Sequence, residues 1–383
     1  MADVVSWRPR ADTPELQDVR LSIGGVSFSG WQAVTVVRSM EAAAGGFEVA
    51  YVSSTRTGWR IEAGQRVQVS LAGKPVIAGW IDAVRHRYDA TGHALTVSGR
   101  DASADLVDCT AVHRPSEWRQ LLLEEIAALL AAPFKVLVAA EVDVQPVFPV
   151  FRLEPGETAW EAIERACRLR QCLAIPDGAG GLLITRAGAS GAASGLLTGG
   201  MRGNVIAFER ASDQSDRFSS YTILAQRPGD ADGQPTDFAH VTGTASDPGI
   251  TRYRPLVLPA EDAADQAAAG ARAQWEAVIR RARAERARAT VAGWTDGAGA
   301  LWRPNTKVRH RDPWDGDGEY LIATVEYTLS EAGTLTQLEL VPPEAYLTEP
   351  GAVATAEQRR KKKRDQALDK LISGDGETEW SIR

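Results

Sequence analysis

Residues 65–97 read QRVQVSLAGKPVIAGWIDAVRHRYDATGHALTV, and residues 306–338 read TKVRHRDPWDGDGEYLIATVEYTLSEAGTLTQL. In each stretch, apolar and polar residues alternate in three runs separated by short turns, which predicts three antiparallel strands. The stretches lie 241 positions apart, and that offset aligns their apolar positions without a gap. The matched core positions, with one leucine pair beyond the stretches, are Val67, Ile81, Val84, Gly92 and Leu106 in the first copy and Val308, Ile322, Val325, Gly333 and Leu347 in the second copy.

The two stretches are therefore candidate copies of one structural repeat. Alternation and a turn glycine also occur in unrelated β-meanders, so chance similarity is the alternative. Against chance, both copies follow an aromatic lead-in, at 59–62 and 301–304, and both have runs of matching length. Closing a sheet into a barrel removes the exposed strand edges that invite unwanted pairing. The repeat thus predicts a mainly β chain with two similar antiparallel β-barrel domains.

The rest of the sequence divides the chain around these two copies. Further alternating segments complete a first β-barrel domain, with an N-terminal arm, over 1–110. Helical patterns within 111–190 predict a small α/β module inserted between the barrels. Residues 191–350 combine a linker, strands, an Arg-rich helix and the second barrel domain. Residues 351–383 form a charged C-terminal tail.

Several local patterns predict individual elements. The most specific is Thr158–Glu161, a capping box in which the hydroxyl and the carboxylate satisfy free N–H groups at a helix start. The helix that follows it is expected to bury Trp160, Ile163 and Cys167. The other predictions are a hairpin around Gly24–Gly25, a helix from Pro115–Ser116 to Pro133, a Gly/Ala/Ser-rich linker over 187–200, an exposed loop over 227–249 and a helix from Pro259 to Ala289.

The composition is that of an ordinary globular protein, with 44% hydrophobic and 24% charged residues. A formal net charge of −7 argues against bulk nucleic-acid binding. The cysteines, Cys109, Cys167 and Cys172, form no disulfide framework and indicate free thiols in a reducing compartment. The chain lacks a signal-peptide pattern and a membrane-spanning run, which predicts a soluble protein made in a cytoplasm.

No motif in the sequence indicates an enzyme. The five histidines lack metal-ligand spacing, and Cys167 and Cys172 would point to different faces of a helix. The acidic segment 312–319 offers oxygens for calcium, but its Asp-Gly pattern fits a hairpin loop without an ion. Gly178–Gly181 lacks the following helix that phosphate binding needs and is predicted to be a turn. We therefore expect no catalytic residue, no cofactor and no metal site.

Two basic segments are candidate docking surfaces for a partner. One is the Arg-rich stretch 280–288, and the other is the tail run Arg359, Arg360, Lys361, Lys362, Lys363 and Arg364. Each also fits a solvated surface with no specific role. Neither has interleaved aromatic residues, which disfavours nucleic acid and leaves an acidic protein partner as the more specific hypothesis.

The order of barrel, α/β insert, second barrel and charged tail resembles that of the baseplate hub proteins of Mu-like contractile-tailed phages. The resemblance covers about 15–350. The matching text lies at 59–67 (WRIEAGQRV), 78–82 (AGWID), 97–108 (VSGRDASADLVD), 155–163 (PGETAWEAI), 293–294 (GW) and 301–305 (LWRPN).

This resemblance implies a structural virion protein without catalytic residues. It implies a homotrimeric ring that joins the hexameric tail tube to the trimeric central spike, beside other baseplate proteins. The ring would belong to the virion tail baseplate, assembled in the host bacterial cytoplasm, with no membrane and no specific nucleic acid as partner. Two similar barrels in each of three chains would present six near-equivalent faces to the tube.

Two other classes of function stay open at this point. A carbohydrate- or peptidoglycan-binding module, or a hydrolase accessory, would act through the middle α/β module. A DNA-binding protein would use the Arg-rich helix, although the net charge disfavours it.

Overall fold

The computed structural model describes residues 18–53, 60–90, 92–199, 203–226, 240–260, 265–312 and 316–350. The chain forms two units. Of the described residues, the first unit comprises those within 18–168, 172–216 and 279–347, and the second comprises those within 169–171, 217–278 and 348–350. The described residues are mainly in β-strands, as the sequence predicts.

Antiparallel strands at the start of the first unit follow the alternating sequence pattern. They are β1 (Val19–Ile23), β2 (Val26–Phe28), β3 (Ala33–Ser39), β4 (Gly46–Ser53), β5 (Arg66–Leu71), β6 (Lys74–Tyr88) and β7 (His93–Asp101). Hydrogen bonds join them in the order β3-β4-β7-β6-β5-β1-β2. In β1 the apolar residues are buried and the polar ones exposed, because successive side chains point to opposite faces. The predicted hairpin at Gly24–Gly25 is confirmed, since Ile23 pairs with Val26.

A small α/β module follows these strands. Its elements are α1 (Ala104–Asp108), β8 (Glu117–Trp118), α2 (Leu123–Ala131), β9 (Val138–Ala140), β10 (Phe151–Arg152), α3 (Ala159–Leu169), β11 (Leu173–Pro176) and β12 (Leu182–Thr185). Strands β11 and β12 form a hairpin around the predicted turn at Gly178–Gly181, and β9 lies parallel to β12. The helices bury their apolar faces in one core with this sheet, including Leu123, Ile126, Ile163 and Ile184.

Helix α2 begins later than the sequence predicts. The expected start at Pro115–Ser116 is wrong, because Trp118 is in β8 and pairs with Phe151. Trp118 is buried, and its ring lies 6.3 Å from that of Phe151. The first turn begins only at Leu123, where the backbone N–H of Leu122 donates to the Glu125 carboxylate at 2.7 Å. Burial of a large aromatic ring against a second strand thus outweighs the local helical spacing.

The capping box at the start of α3 is confirmed. The backbone N–H of Thr158 donates to the Glu161 carboxylate at 2.8 Å, and the N–H of Glu161 donates to the Thr158 hydroxyl at 3.1 Å. Ile163 and Cys167 are buried as expected, whereas Trp160 is only half-buried.

The remaining elements carry the chain through the second unit and back. They are β13 (Ala192–Thr198), β14 (Val205–Ser212), β15 (Ser220–Gln226), β16 (His240–Ser246), β17 (Pro255–Pro259), α4 (Gln266–Arg283), β18 (Glu285–Ala292), β19 (Lys307–Asp312), β20 (Gly316–Ser330) and β21 (Gly333–Val341). Among the helices described, none is long and apolar enough to cross a bilayer.

The predicted linker over 187–200 is wrong, because it contains a strand of the main sheet. Strand β13 pairs with β19 in parallel, and Leu197 is fully buried in the main core. Small residues dominate this strand, so its sequence shows little alternation. The hydrogen bonds to β19 and the burial of one leucine supply the stability that the local pattern lacks.

The predicted helix from Pro259 to Ala289 is also too long. Helix α4 ends at Arg283, and β18 begins two residues later. In β18, Ala287, Ala289 and Val291 are buried while Arg286 and Arg288 are exposed. This period of two identifies a strand that is buried on one face.

The second unit contains a sheet with the strand order β16-β15-β17. The predicted loop over 227–249 is wrong in part, because β16 pairs with β15 along its whole length; residues 227–239 lie outside the described residues. Ala269 and Ala273 of α4 pack against Ile223 and Val241. The helix approaches β16 so closely that a Cβ on Gly243 would lie 2.1 Å from the Ala269 carbonyl.

Both repeat copies lie in one sheet of the first unit. Its strands follow the order β14-β18-β21-β20-β3-β4-β7-β6-β5-β1-β2, with β19 and β13 attached to β20. Among the residues that the structure describes, no sheet closes on itself. The copies are instead connected within this sheet through β4 and β3, because β3 pairs with β20.

Candidate functional site: the repeat and its strand edges

The two repeat copies have the same hydrogen-bond register. Val84 pairs with Val97 in the first copy, and Val325 pairs with Leu338 in the second, each 241 positions further on. A bulge interrupts β6 between Ile81 and Ala83, and the corresponding bulge interrupts β20 between Ile322 and Thr324. Because bulges are specific local features, their matched positions support a repeat over a chance resemblance.

The turn that precedes each copy is also repeated. The N–H of Gly64 donates to the Ile81 carbonyl at 2.8 Å, and the N–H of Asn305 donates to the Ile322 carbonyl at 2.9 Å. Gly64 and Asn305 both have positive φ, 84° and 62°. Asparagine tolerates this left-handed conformation better than most residues, so it can replace glycine there.

The flanking strands extend the equivalence to six strands per copy. We call β1-β5-β6-β7-β4-β3 the first module and β13-β19-β20-β21-β18-β14 the second module; each order follows the hydrogen bonds. Strand β18 pairs with β21 as β4 pairs with β7, and β14 pairs with β18 as β3 pairs with β4. The end strands differ, since β1 is antiparallel to β5 whereas β13 is parallel to β19.

The structure places most of the proposed repeat-core residues inside the modules. Five of them are buried and contribute to one shared core: Val67, Ile81, Val308, Ile322 and Val325. Val84 packs against the same core at its edge. Gly92 immediately precedes β7, and Gly333 is the first residue of β21.

The leucine pair differs from the other matched positions. Leu106 is fully buried in the α/β module, whereas Leu347 is 44% exposed. The two copies therefore differ in their surroundings at this pair of positions.

Strand edges on β6, β13 and β14 lack a neighbour among the described residues. Strand β5 and the turn before it cover β6 only as far as Ile81, so one side of residues 82–88 is unpaired. Strand β14 pairs only with β18 and forms one end of the sheet. Tyr88 is 78% exposed, and residues 85–88 and 209–212 are all exposed. Such edges are sites for pairing with another strand.

The cysteine and histidine side chains that the structure describes differ in burial. Cys167 and Cys172 are buried and Cys109 is exposed; burial raises the pKa of the Cys167 thiol far above its usual value. His310 is buried, with its ring stacked 3.9 Å from that of Phe208. Among the described residues, no three His, Cys, Asp or Glu side chains lie close enough to hold a metal ion.

The acidic segment 312–319 is a hairpin connection. Asp312 pairs with Gly316 across it, while residues 313–315 lie outside the described residues. Asp317 lies 3.2 Å from Arg311, and Glu319 lies 3.3 Å from Lys307. These carboxylates therefore form ion pairs across β19 and β20.

The basic stretch 280–288 does not form one continuous helix face. It is divided between α4 and β18, and its strand arginines line a groove of about 240 Å³ that is also acidic. Arg288 lies 3.0 Å from Glu339 at this groove. Because acidic and basic side chains line this groove together, the stretch does not form the purely basic surface that the sequence suggests. The tail run Arg359–Arg364 lies outside the described residues.

Sequence reasoning did not identify Asp101 as an unusual residue. Its side chain is 1% exposed, and burial raises its pKa to about 7, partly offset by the charge of Arg38. The pattern GRD at 99–101 offered no sign of this burial, because it depends on the packing of β7 against distant segments.

Four family profiles of phage tail proteins match the chain in order. They are "Mu phage baseplate assembly protein GpP-like, N-terminal" at 18–101, "Baseplate hub protein gp44-like, second domain" at 103–186, "Tail protein NMB1110-like, third domain" at 217–275 and "Mu phage baseplate assembly protein GpP, fourth domain" at 265–349. Together with the repeated β-modules, these matches define a structural protein of the phage tail baseplate.

The relatives identify the family. Baseplate hub protein gp44 of Escherichia phage Mu is 35% identical over 345 residues, which cover 86% of this chain and 89% of that protein. The chain belongs to the family of this hub protein, a component of the virion tail.

Two solved structures have the same fold. The 43 kDa tail protein of prophage MuSo2 from Shewanella oneidensis is 31% identical with a TM-score of 0.76, over 87% of this chain and 100% of that one. A tail protein from Neisseria meningitidis MC58 is 24% identical with a TM-score of 0.73, over 87% and 98% of the two chains.

Proposed function

We propose that this protein forms a homotrimeric hub that joins the hexameric tail tube to the trimeric central spike of a contractile phage tail. The observation that carries the proposal is the pair of modules with one strand order and one register. Three chains would contribute six modules to a ring. Such a ring offers a near-sixfold surface to the tube while keeping threefold symmetry toward the spike.

We propose further that each module is a barrel-like domain. Strands β1 and β3, at opposite ends of the first module, contribute side chains to one core, which fits a sheet that rolls around it. The domain division 1–110, 111–190, 191–350 and 351–383 belongs to this proposal. The family profiles that end at 101 and 186 support its first two boundaries.

The proposed role is structural and involves no turnover. It is supported by the hub function of the Mu relative. The partners in this proposal are the tail tube protein, the central spike protein and other baseplate proteins, met during assembly in the host cytoplasm. The basic run Arg359–Arg364 is the proposed docking segment for one of them.

The solution mass, measured by light scattering alone and after mixing with a candidate spike, tests this proposal. We expect a trimer, or a complex with three copies of each chain. A chain that stays monomeric alone and with the spike contradicts it.

A further inference from the structure

We propose that the open edge of β14 in one copy pairs, antiparallel, with the outer half of β6 in the next copy. The contact between protomers would then repeat the β3–β20 contact inside the chain. This inference rests on the proposed hub assembly and adds which strands meet and in which register.

The contact inside the chain supplies the template. Strand β3 pairs with residues 324–329 of β20, so that Val34 lies opposite Leu329, Thr35 opposite Thr328 and Val36 opposite Tyr327. Val36 and Tyr327 are fully buried there. This pairing joins the β3 edge of the first module to the long middle strand of the second module.

The repeat register assigns an equivalent to each strand of this template. Strand β14 takes the place of β3, because Phe208 pairs with Ala289 as Val34 pairs with Val49. Residues 83–88 of β6 take the place of 324–329 of β20, since β6 and β20 share the 241-residue offset and the bulge. The second module therefore ends in a β3-like edge, and the first module carries a β20-like acceptor.

Applying the register of the β3–β20 pairing to β14 and β6 gives the register between copies. Phe208 of one copy falls opposite Tyr88 of the next, Glu209 opposite Arg87, and Ala211 opposite Arg85. The first pair is aromatic and the second is oppositely charged, both of which stabilise directly opposed cross-strand positions. Arg210, which lies 3.3 Å from Glu285 in its own chain, falls opposite His86, and no two carboxylates face each other in this register.

The exposure of these residues also fits strand edges that await a pairing partner. Residues 85–88 are all exposed, whereas their equivalents 326–329 are buried or half-buried beneath β3. Residues 209–212 of β14 are exposed, whereas their equivalents in β3 are buried or half-buried. The chain thus contains one formed junction, between β3 and β20, and two unpaired edges, on β14 and β6, that can form an equivalent junction between copies.

A second copy of the chain is the occupant that these edges fit. Strands β14 and β6 are separated by six intervening strands in the order of the sheet, and they do not pair within the chain. The contact is head-to-tail, since a β14 edge receives a β6 edge. Contacts of this kind close into a ring when the rotation per copy matches, which agrees with a hub.

A disulfide trap tests the register. In a Cys109→Ser background, which removes the exposed native thiol, Arg87→Cys and Glu209→Cys are combined in one chain and oxidised mildly. Opposed residues of antiparallel strands lie about 4.5–5.5 Å apart between Cα atoms, within disulfide range. We expect covalent trimers on a denaturing gel that reductant converts to monomers. The trap is applied to the protein alone and to its complex with the spike.

Matched variants separate the outcomes. Arg87→Cys with Asp213→Cys displaces the thiols by four residues, roughly 13 Å along the strand, and should not cross-link. A trimer by light scattering with no cross-link from the in-register pair overturns this inference and leaves the hub proposal standing. A disulfide dimer from Glu209→Cys alone, through a β14–β14 contact, also overturns it. A monomer in every mixture contradicts the hub proposal itself.

Discussion

Asp101 shows how one buried carboxyl makes the stability of the first unit depend on pH. Burial raises its folded-state pKa from 3.8 to about 7. Between these values the unfolded chain loses the proton while the folded one keeps it, so stability falls as pH rises from about 4 to 7 and then levels off. Asp101→Asn should remove this fall and stabilise the protein at pH 8 by about 1–3 kcal/mol.

Thermal unfolding midpoints at pH 5 and pH 8 measure this effect. Asp105→Asn, which removes a partly exposed carboxyl from the adjacent α1, is the matched control, and the fall in stability should persist in it because Asp101 is retained. If Asp101→Asn changes the midpoint equally at both pH values, the carboxyl does not titrate in this range and the assignment is wrong.

At the element scale, strong alternation located the strands correctly and weak alternation did not. The runs that became β5, β6 and β7 place apolar side chains at every second position, and the burial follows them. Strand β13 has mostly small residues, and the arginine-alanine text of β18 continues the composition of α4. Their strand pairing depends on partners far away in the sequence, which local pattern does not encode.

Strand β13 should therefore tolerate little change at its buried residue. Leu197 is fully buried in the main core while Leu196 is half-buried. We expect Leu197→Ala to destabilise the first unit by about 2–5 kcal/mol, because it leaves a cavity. Leu196→Ala is the control and should cost clearly less. Urea unfolding followed by tryptophan fluorescence measures both, and equal small effects would mean that 192–198 is a linker after all.

Two glycines of the second unit should respond in opposite directions to alanine. A Cβ on Gly243 would meet the Ala269 backbone of α4 at 2.1 Å, so Gly243→Ala should destabilise by about 1–3 kcal/mol. A Cβ on Gly270, inside α4, meets nothing within 4 Å, so Gly270→Ala should stabilise the helix by about 0.5–1 kcal/mol. Limited proteolysis of the two variants compares them, and faster cleavage of Gly270→Ala would contradict the packing of α4.

At the scale of the whole molecule, the repeat could be recognised in the sequence, but the strand pairing that connects its two copies could not. The 241-residue offset was visible in the amino-acid sequence, and it predicted two copies of one β unit. The edge-to-edge pairing of β3 with β20 was not visible, because these strands are nearly 300 positions apart and no turn connects them. The open edges of β6 and β14 become apparent only once the formed junction is known.

A substitution at the junction inside the chain should affect folding, whereas a substitution at the equivalent junction between copies should affect assembly. Val36 is fully buried at the internal junction, so Val36→Asp should unfold the first unit by burying an unpaired charge. Glu209, at the neighbouring equivalent position on β14, is exposed, so Glu209→Lys should keep the circular dichroism and melting of the wild type. It should weaken trimer formation several-fold by facing Arg87 of the next copy, and adding Arg87→Glu should restore it. Light scattering across a concentration series measures the three variants. If Glu209→Lys assembles like the wild type, β14 does not face β6 in this register.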